Sequence, residues 1–177
     1  ITKSFPSKHF VFCQYVNGSG SIVLAKALEQ FGYTAANGLE KTKRKRFALC
    51  THQTTSNTII RRIIDRFNND DNIDGEFISV IIGSKVLNEG FTLKNVRNEF
   101  ILTPHWNYAE TAQAIARGWR FGSHDTLLAR GDANVTVNVY QCVSLPNSPT
   151  IPSIDLELYE TAENKDIINR QIERLVK

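Results

Sequence analysis

Phe77-Ile78-Ser79-Val80-Ile81-Ile82-Gly83 is the stretch that decides the fold. It is one strand long, almost uninterruptedly apolar, rich in β-branched residues and closed by glycine. A run without polar alternation belongs to a strand buried on both faces, which predicts the centre of a covered sheet. Working outward, His9–Val16 (HFVFCQYV) has the same character and stops at Asn17-Gly18-Ser19-Gly20. Arg46–Thr51 (RFALCT), Asn98–Leu102 and Val135–Val143 read as further strands. Helical spacing lies between them. Ser21–Phe31 places Ile22, Ala25, Ala27 and Leu28 at that spacing before Gly32 stops it. After a cap at Thr55 or Ser56, residues Ile59, Ile60, Ile63, Ile64 and Phe67 form one apolar stripe ending in Asn68-Asn69-Asp70. Ala109–Ala116 and Asp155–Val176 complete the helices.

Strand alternating with helix predicts an α/β fold, a mostly parallel sheet with helices on both faces, plus a C-terminal helix. Leu145–Pro152, carrying Pro146, Pro149 and Pro152, reads as a linker. The expected division is therefore a domain over residues 1–152 and a helix over 153–177, packed on it or extending from it. Leu156, Leu158, Tyr159, Ile167, Ile168, Ile172 and Leu175 suit packing back on the sheet, or docking a partner.

The 177 residues are 41% hydrophobic and 22% charged, which suits a globular core and excludes collagen-like, disordered and mini-protein chains. No apolar run approaches the roughly 18 residues of a membrane span, and the N-terminus has no signal-peptide pattern. Cys13, Cys50 and Cys142 are far apart and form no C-x-x-C spacing, which fits a reducing compartment better than a disulfide framework or zinc site. The absence of methionine suggests a piece of a longer protein. Net charge is +3, but the last 25 residues carry six acids against four bases. Five positive charges crowd into Lys41–Arg46 (KTKRKR), either as a solvated loop or as a phosphate-contacting one.

Several motifs are missing. There is no G-x-x-x-x-G-K-[ST] loop, no G-x-S-x-G elbow and no H-E-x-x-H pair. Asn17–Gly20 resembles part of a phosphate-cradling turn but lacks the lysine. His9, His52, His105 and His124 are scattered and read as structural or exposed. The chemically informative stretch runs from Val80 to His124. Ser84-Lys85-Val86-Leu87-Asn88-Glu89-Gly90-Phe91-Thr92-Leu93 follows the central strand, at the end where open α/β sheets bind ligands. Later, Gln113, Arg117 and Arg120 fall at i, i+4 and i+7, one face of a helix if the helix continues. Two arginines and a glutamine are poor core material and suit a charge-assisted grip on phosphate oxygens. A salt-bridged surface helix is the plainer alternative.

These two segments resemble motifs V and VI of superfamily 2 helicases and translocases: Ser84–Leu93, centred on Glu89-Gly90-Phe91-Thr92, and Gln113–Arg120, similar to Q-x-x-G-R-x-x-R. Phe10–Tyr15 resembles the strand of motif IV, and Leu49–His52 the strand end that contacts a nucleic-acid backbone. The resemblance covers roughly residues 8 to 145 and corresponds to the second RecA-like lobe. Pro104-His105-Trp106-Asn107, Ser123-His124 and the closing Ser153–Lys177 look like the nucleoside triphosphatase and early-transcription ATPases of large DNA viruses, poxviruses among them. Swi/Snf-type translocases share the P-x-W-N feature. Ala116 stands where motif VI usually has glycine, and Thr92 where many relatives have Asp or Asn.

The resemblance implies Arg120 as an arginine finger and Arg117 as its partner on the γ-phosphate of ATP, with Gln113, Glu89, Gly90 and Thr92 toward the nucleotide. It implies nucleic-acid backbone contacts, to DNA or RNA, near Gln14, Tyr15, Thr51, His52, Ser84 and Lys85. Trp106 and Tyr108 could stack on a base or, for Trp106, pack in the core or lobe interface. ATP and Mg2+ would be bound mainly by a preceding N-terminal RecA-like lobe, so the chain alone is expected to be inactive as an ATPase. Other implied partners are nucleic acid and the viral transcription machinery, with no membrane, in the host cytoplasm or virion. Two other classes remain open on the residues alone. One is a RecA-like module that binds nucleic acid or a partner without hydrolysis. The other is an unrelated α/β enzyme gripping a phosphorylated small molecule.

Overall fold

The computed structural model describes residues 1–18, 20–85, 90–132, 135–144, 151 and 153–176. The linker residues 145–150 and Pro152 lie outside them, as does Glu89. Six parallel strands form one sheet: β1 (Lys8–Phe12), β2 (Thr34–Ala35), β3 (Arg46–Cys50), β4 (Val80–Gly83), β5 (Val96–Ile101) and β6 (Asn138–Gln141), in the order β2-β3-β4-β1-β5-β6. The helices are α1 (Ser21–Gln30), α2 (Asn57–Asn68), α3 (Tyr108–Ile115), α4 (Asp125–Arg130) and α5 (Ile154–Val176). The apolar run does sit at the centre, with β4 paired to both β1 and β3.

Alternation along each buried strand splits the core in two. Phe10, Phe12, Ala48, Cys50, Ile81 and Ile101 meet Ile60, Ile63, Ile64 and Phe67 of α2 and Ala114 of α3. Val11, Phe47, Val80 and Ile82 meet Ala25 and Leu28 of α1 on the other face. The stripe on α2 is thus inward except for the half-buried Ile59, and Ile60, Ile63 and Ile64 each contribute about 1.5–3 kcal/mol relative to exposure.

Several boundaries differ from the sequence reading, and each has a local cause. The ladder of β4 begins at Val80, three residues late, because the amides of Phe77 and Ile78 donate to Asn72 Oδ1 at 2.9 and 3.2 Å. The same buried Asn72 donates to the carbonyls of Phe67 and Ile78, joining the end of α2 to the lead of β4. Strand β1 stops at Phe12, and the Gln14 amide donates instead to Thr103 Oγ1. Two short elements, β2 and α4, have too few residues to show a period and went unread.

Only the first part of α5 packs on the domain. Tyr159 and Ala162 are buried, and Tyr159 Oη donates to the Ile101 carbonyl at 3.4 Å. Ile167, Ile168, Ile172 and Leu175 are exposed. No helix among the described residues is long and apolar enough to cross a membrane.

Candidate functional site

The sheet brings the singled-out residues to its two opposite ends. At the amino end, where Lys8 and Val96 begin β1 and β5, the segment Gly90–Lys94 runs along the edge. It is pinned there by side chains. Asn68 Nδ2 donates to the Thr92 carbonyl at 2.8 Å, and Lys8 Nζ donates to the Lys94 carbonyl at 3.1 Å. Lys8 is wholly buried, and desolvation pushes its ammonium down to about 7. Gly90 has φ +89, a left-handed turn open to glycine at no steric cost.

The arginines reach this edge, but not along a helix face. α3 ends at Ile115, so the i, i+4, i+7 stripe of Gln113, Arg117 and Arg120 does not form as a helical stripe. The chain turns because the Arg117 carbonyl accepts from the Leu93 amide at 2.8 Å, an acceptor that helix continuation would have used internally. The turn nevertheless delivers both guanidinium groups to one place. Arg117 Nη1 donates to the Phe91 carbonyl at 3.2 Å and its Nε to the Gln113 carbonyl at 3.3 Å. Arg120 Nη1 donates to Thr92 Oγ1 at 3.3 Å. Burial and then the nearby Arg120 charge hold the Arg117 pKa below its ordinary value. Neither arginine pairs with a carboxylate among the described residues. Two neighbouring cations without a counter-charge suit an anion with several oxygens. Gln113 contributes its backbone here, and its side chain is exposed.

At the carboxyl end, Gln14, Val16, His52, Gln53, Ser84 and Lys85 line a shallow hollow of about 310 Å³. They come from the segments after β1, β3 and β4, so four of the six expected nucleic-acid residues converge. Lys85 also lies 3.7 Å from Glu110. Thr51 is 0% exposed and its hydroxyl is 2.7 Å from that of Thr54, so it shapes the strand end from beneath. Tyr15 stands beside the hollow, 63% exposed. Trp106 is 58% exposed rather than in the core, its ring under Lys165 Nζ at 5.0 Å.

Several other candidates are engaged within the fold. The Ser21 and Ile22 amides at the start of α1 donate to the carbonyls of Tyr15 and Val16, so these two helix-start amides are already used. In the basic run, Lys43 pairs with Glu76, and Arg46 donates to the carbonyls of Thr42 and Phe77. His124 lies within hydrogen-bond distance of the Val96 carbonyl (2.7 Å) and Ser123 Oγ (2.8 Å), and burial pushes His9 down to about 4. The Phe91 carbonyl and Gln53 were invisible as site groups in the sequence, since a backbone acceptor leaves no residue-type signal. Glu99 was also missed, although a lone acid inside Val96–Ile101 was a visible anomaly.

Comparison with known proteins gives the chain's family and fold. The family model for the helicase conserved C-terminal domain matches residues 1–122. Over 177 residues the chain is 50% identical to the 009L protein of Frog virus 3 (isolate Goorha), named as a candidate helicase, covering 99% of this chain and 18% of that protein. Over 141 residues it is 28% identical to the early transcription factor 70 kDa subunit of vaccinia virus (strain Ankara), covering 75% of this chain and 21% of that one. The chain therefore spans about a fifth of the length of these relatives. Among solved structures, the C-terminal part of the Fun30 ATPase domain matches with a TM-score of 0.61 and 19% identity, over 88% of this chain and 39% of that one, a likeness of fold.

Proposed function

Because the chain belongs to the helicase conserved C-terminal domain family, as the C-terminal lobe of a large-DNA-virus superfamily 2 helicase, we propose that it is the second motor lobe of an ATP-dependent nucleic-acid translocase. In this reading residues 1–152 form the lobe and residues 153–177 a helix packed on it. The observation that carries the proposal is the convergence of Arg117 and Arg120 on Phe91 and Thr92, two cations without a carboxylate partner among the described residues at one edge of the sheet.

Arg117 is fixed by two carbonyls and serves as the anchored member. Arg120 is held by a single long bond to a hydroxyl, which a phosphate oxygen readily replaces. Preorganised guanidinium groups aimed at developing charge are the main resource for phosphoryl transfer, and a finger of this kind contributes about 10³–10⁵ in rate. By the family resemblance, the Mg2+ that accompanies ATP is assigned to a preceding lobe, together with most of the phosphate contacts. In this reading the chain alone does not turn over ATP. Thr92 and Gly90 lie beside the nucleotide. Glu89 is assigned there by resemblance only.

The hollow at the carboxyl end is the track side. Gln14, His52, Ser84 and Lys85, with Tyr15 beside them, present polar and cationic groups from three loops, a pattern that positions a nucleic-acid backbone without reading sequence. Viral transcription machinery is the proposed wider partner, on the strength of the vaccinia relative's name, and the host cytoplasm or virion the proposed location.

The test is Arg120→Ala in a polypeptide that includes the preceding lobe. Turnover of ATP should fall at least about 10³-fold, with little rescue by Arg120→Lys, because a point ammonium lacks the planar fork. Nucleic-acid affinity and melting temperature should stay close to those of the parent. Near-normal turnover would remove Arg120 from the site.

A further inference from the structure

Beneath the arginine turn lies a group that this reading leaves unused. Glu99 occupies the middle of β5, in register with Phe10 of β1 and Val139 of β6. It is 0% exposed, and neither carboxylate oxygen closes a hydrogen bond among the described residues. Gly118, directly after Arg117, seals it in. A Cβ built at Gly118 would overlap Glu99 Oε1 and stand 3.1 Å from Val96 Cβ. The Gly118 backbone is not left-handed, so glycine is required here by the acid below and not by the dihedral.

Among the described residues no charged side chain compensates Glu99. Arg117 and Arg120, on the overlying turn, are directed to Phe91 and Thr92. His124, which leads into α4, is engaged with Val96 and Ser123. Lys8, on β1, is engaged with Phe67 and Lys94. The buried residues of α3 are the uncharged Thr111 and Ala114, and the flanking strands at this register contribute Phe10 and Val139. An ionised carboxylate without a partner is strongly disfavoured in such a site, whereas the neutral acid is tolerable. Burial accordingly pushes Glu99 up to about 8, the Gly118 amide pulling weakly the other way.

We infer that Glu99 is a positioning residue. As a neutral acid it lets the Arg117–Arg120 turn close on the sheet, and its ionisation lifts that turn and withdraws both arginines from the Gly90–Leu93 edge. The turn is the part that yields, because Trp119, Phe121 and Gly122 are already exposed while Phe10 and Val96 beside Glu99 are buried in the sheet. The consequence for turnover rests on the proposed function. The motion of the turn does not.

Trp119 reports the turn directly, being 67% exposed and one of two tryptophans in the chain. In a Trp106→Phe background, its emission followed from pH 6 to 9 should show a one-proton transition near pH 8 that Glu99→Gln abolishes. No transition, or the same transition in the Gln variant, overturns the inference. A carboxyl-carbon NMR titration of the parent chain needs no substitution at Glu99, and a Glu99 midpoint in the ordinary range near 4.5 would also overturn it. In the two-lobe polypeptide, kcat should decline through the same midpoint, and Glu99→Gln should flatten that limb. An intact Trp119 transition beside an Arg120→Ala variant of normal turnover would defeat the motor reading and leave the acid-gated turn standing.

Discussion

At the amino end of the sheet, the functional groups are tied to partners within the fold: Arg117 to the Phe91 and Gln113 carbonyls, Arg120 to Thr92, the Leu93 amide to the Arg117 carbonyl. At the carboxyl end, His52 and Lys85 are exposed side chains around an open hollow, held mainly by the strands they follow. The first arrangement suits one transition-state geometry, where preorganisation lowers the barrier. The second suits a backbone that slides past, where adaptable contacts matter more than fixed ones. Ser84–Lys85 stands at one end and Gly90–Leu93 at the other, so a single chain segment joins the two environments.

After the thousandfold loss expected at Arg120, the next largest effect concerns the acid under the turn. Glu99 is protonated when folded up to about pH 8 but ionises near 4.5 when unfolded. The folded state therefore binds the extra proton between those values, and stability falls as pH rises through that window, by at most about 1.4 kcal/mol per unit. Melting curves of the parent and Glu99→Gln should diverge from pH 5 to pH 8 in favour of Gln. Parallel curves would show that Glu99 is not held neutral, and that the amino end is less tightly specified than the comparison requires.

Gly118→Ala should cost about 1–3 kcal/mol through overpacking against Glu99 and Val96, read as a lower melting temperature. Glu99→Ala in the same molecule should recover part of that loss, since the two sites share the contact. Additive losses would break the proposed link between acid and turn.

The smallest effect belongs to the other end. Lys85→Ala should weaken single-strand binding several-fold and equally across sequences, and flatten the slope of log affinity against log salt by about 0.7. Titrations at several salt concentrations decide this. A sequence-dependent loss would mean that the hollow reads bases, and the contrast between the ends would have to be redrawn.

Much of the architecture was legible because burial leaves a periodic trace. The run at Ile78–Gly83, the stripe Ile60, Ile63, Ile64 and Phe67, and the strand–helix alternation all follow from which residues must leave water. Boundaries were less legible where one side chain takes the hydrogen bonds of a ladder, as Asn72 does from Phe77 and Ile78. At the candidate site, the residue types of Arg117 and Arg120 were informative but their assumed helical alignment was not. Their meeting depends on the Leu93 amide, more than twenty residues away in the chain.

By itself, then, the sequence determined a parallel sheet wrapped in helices and named the two arginines and the cationic strand ends. The sheet and the arginine pair rest on residue type and spacing, which local physics converts into elements, whereas the strand ends were singled out by the family resemblance alone. Only the tertiary structure decided that α3 stops at Ile115, that the arginines face the Gly90–Leu93 edge, and that an unpaired acid lies sealed under Gly118. Each of these depends on hydrogen-bond acceptors and excluded volume supplied by distant segments, and no pattern of nearby residues encodes them.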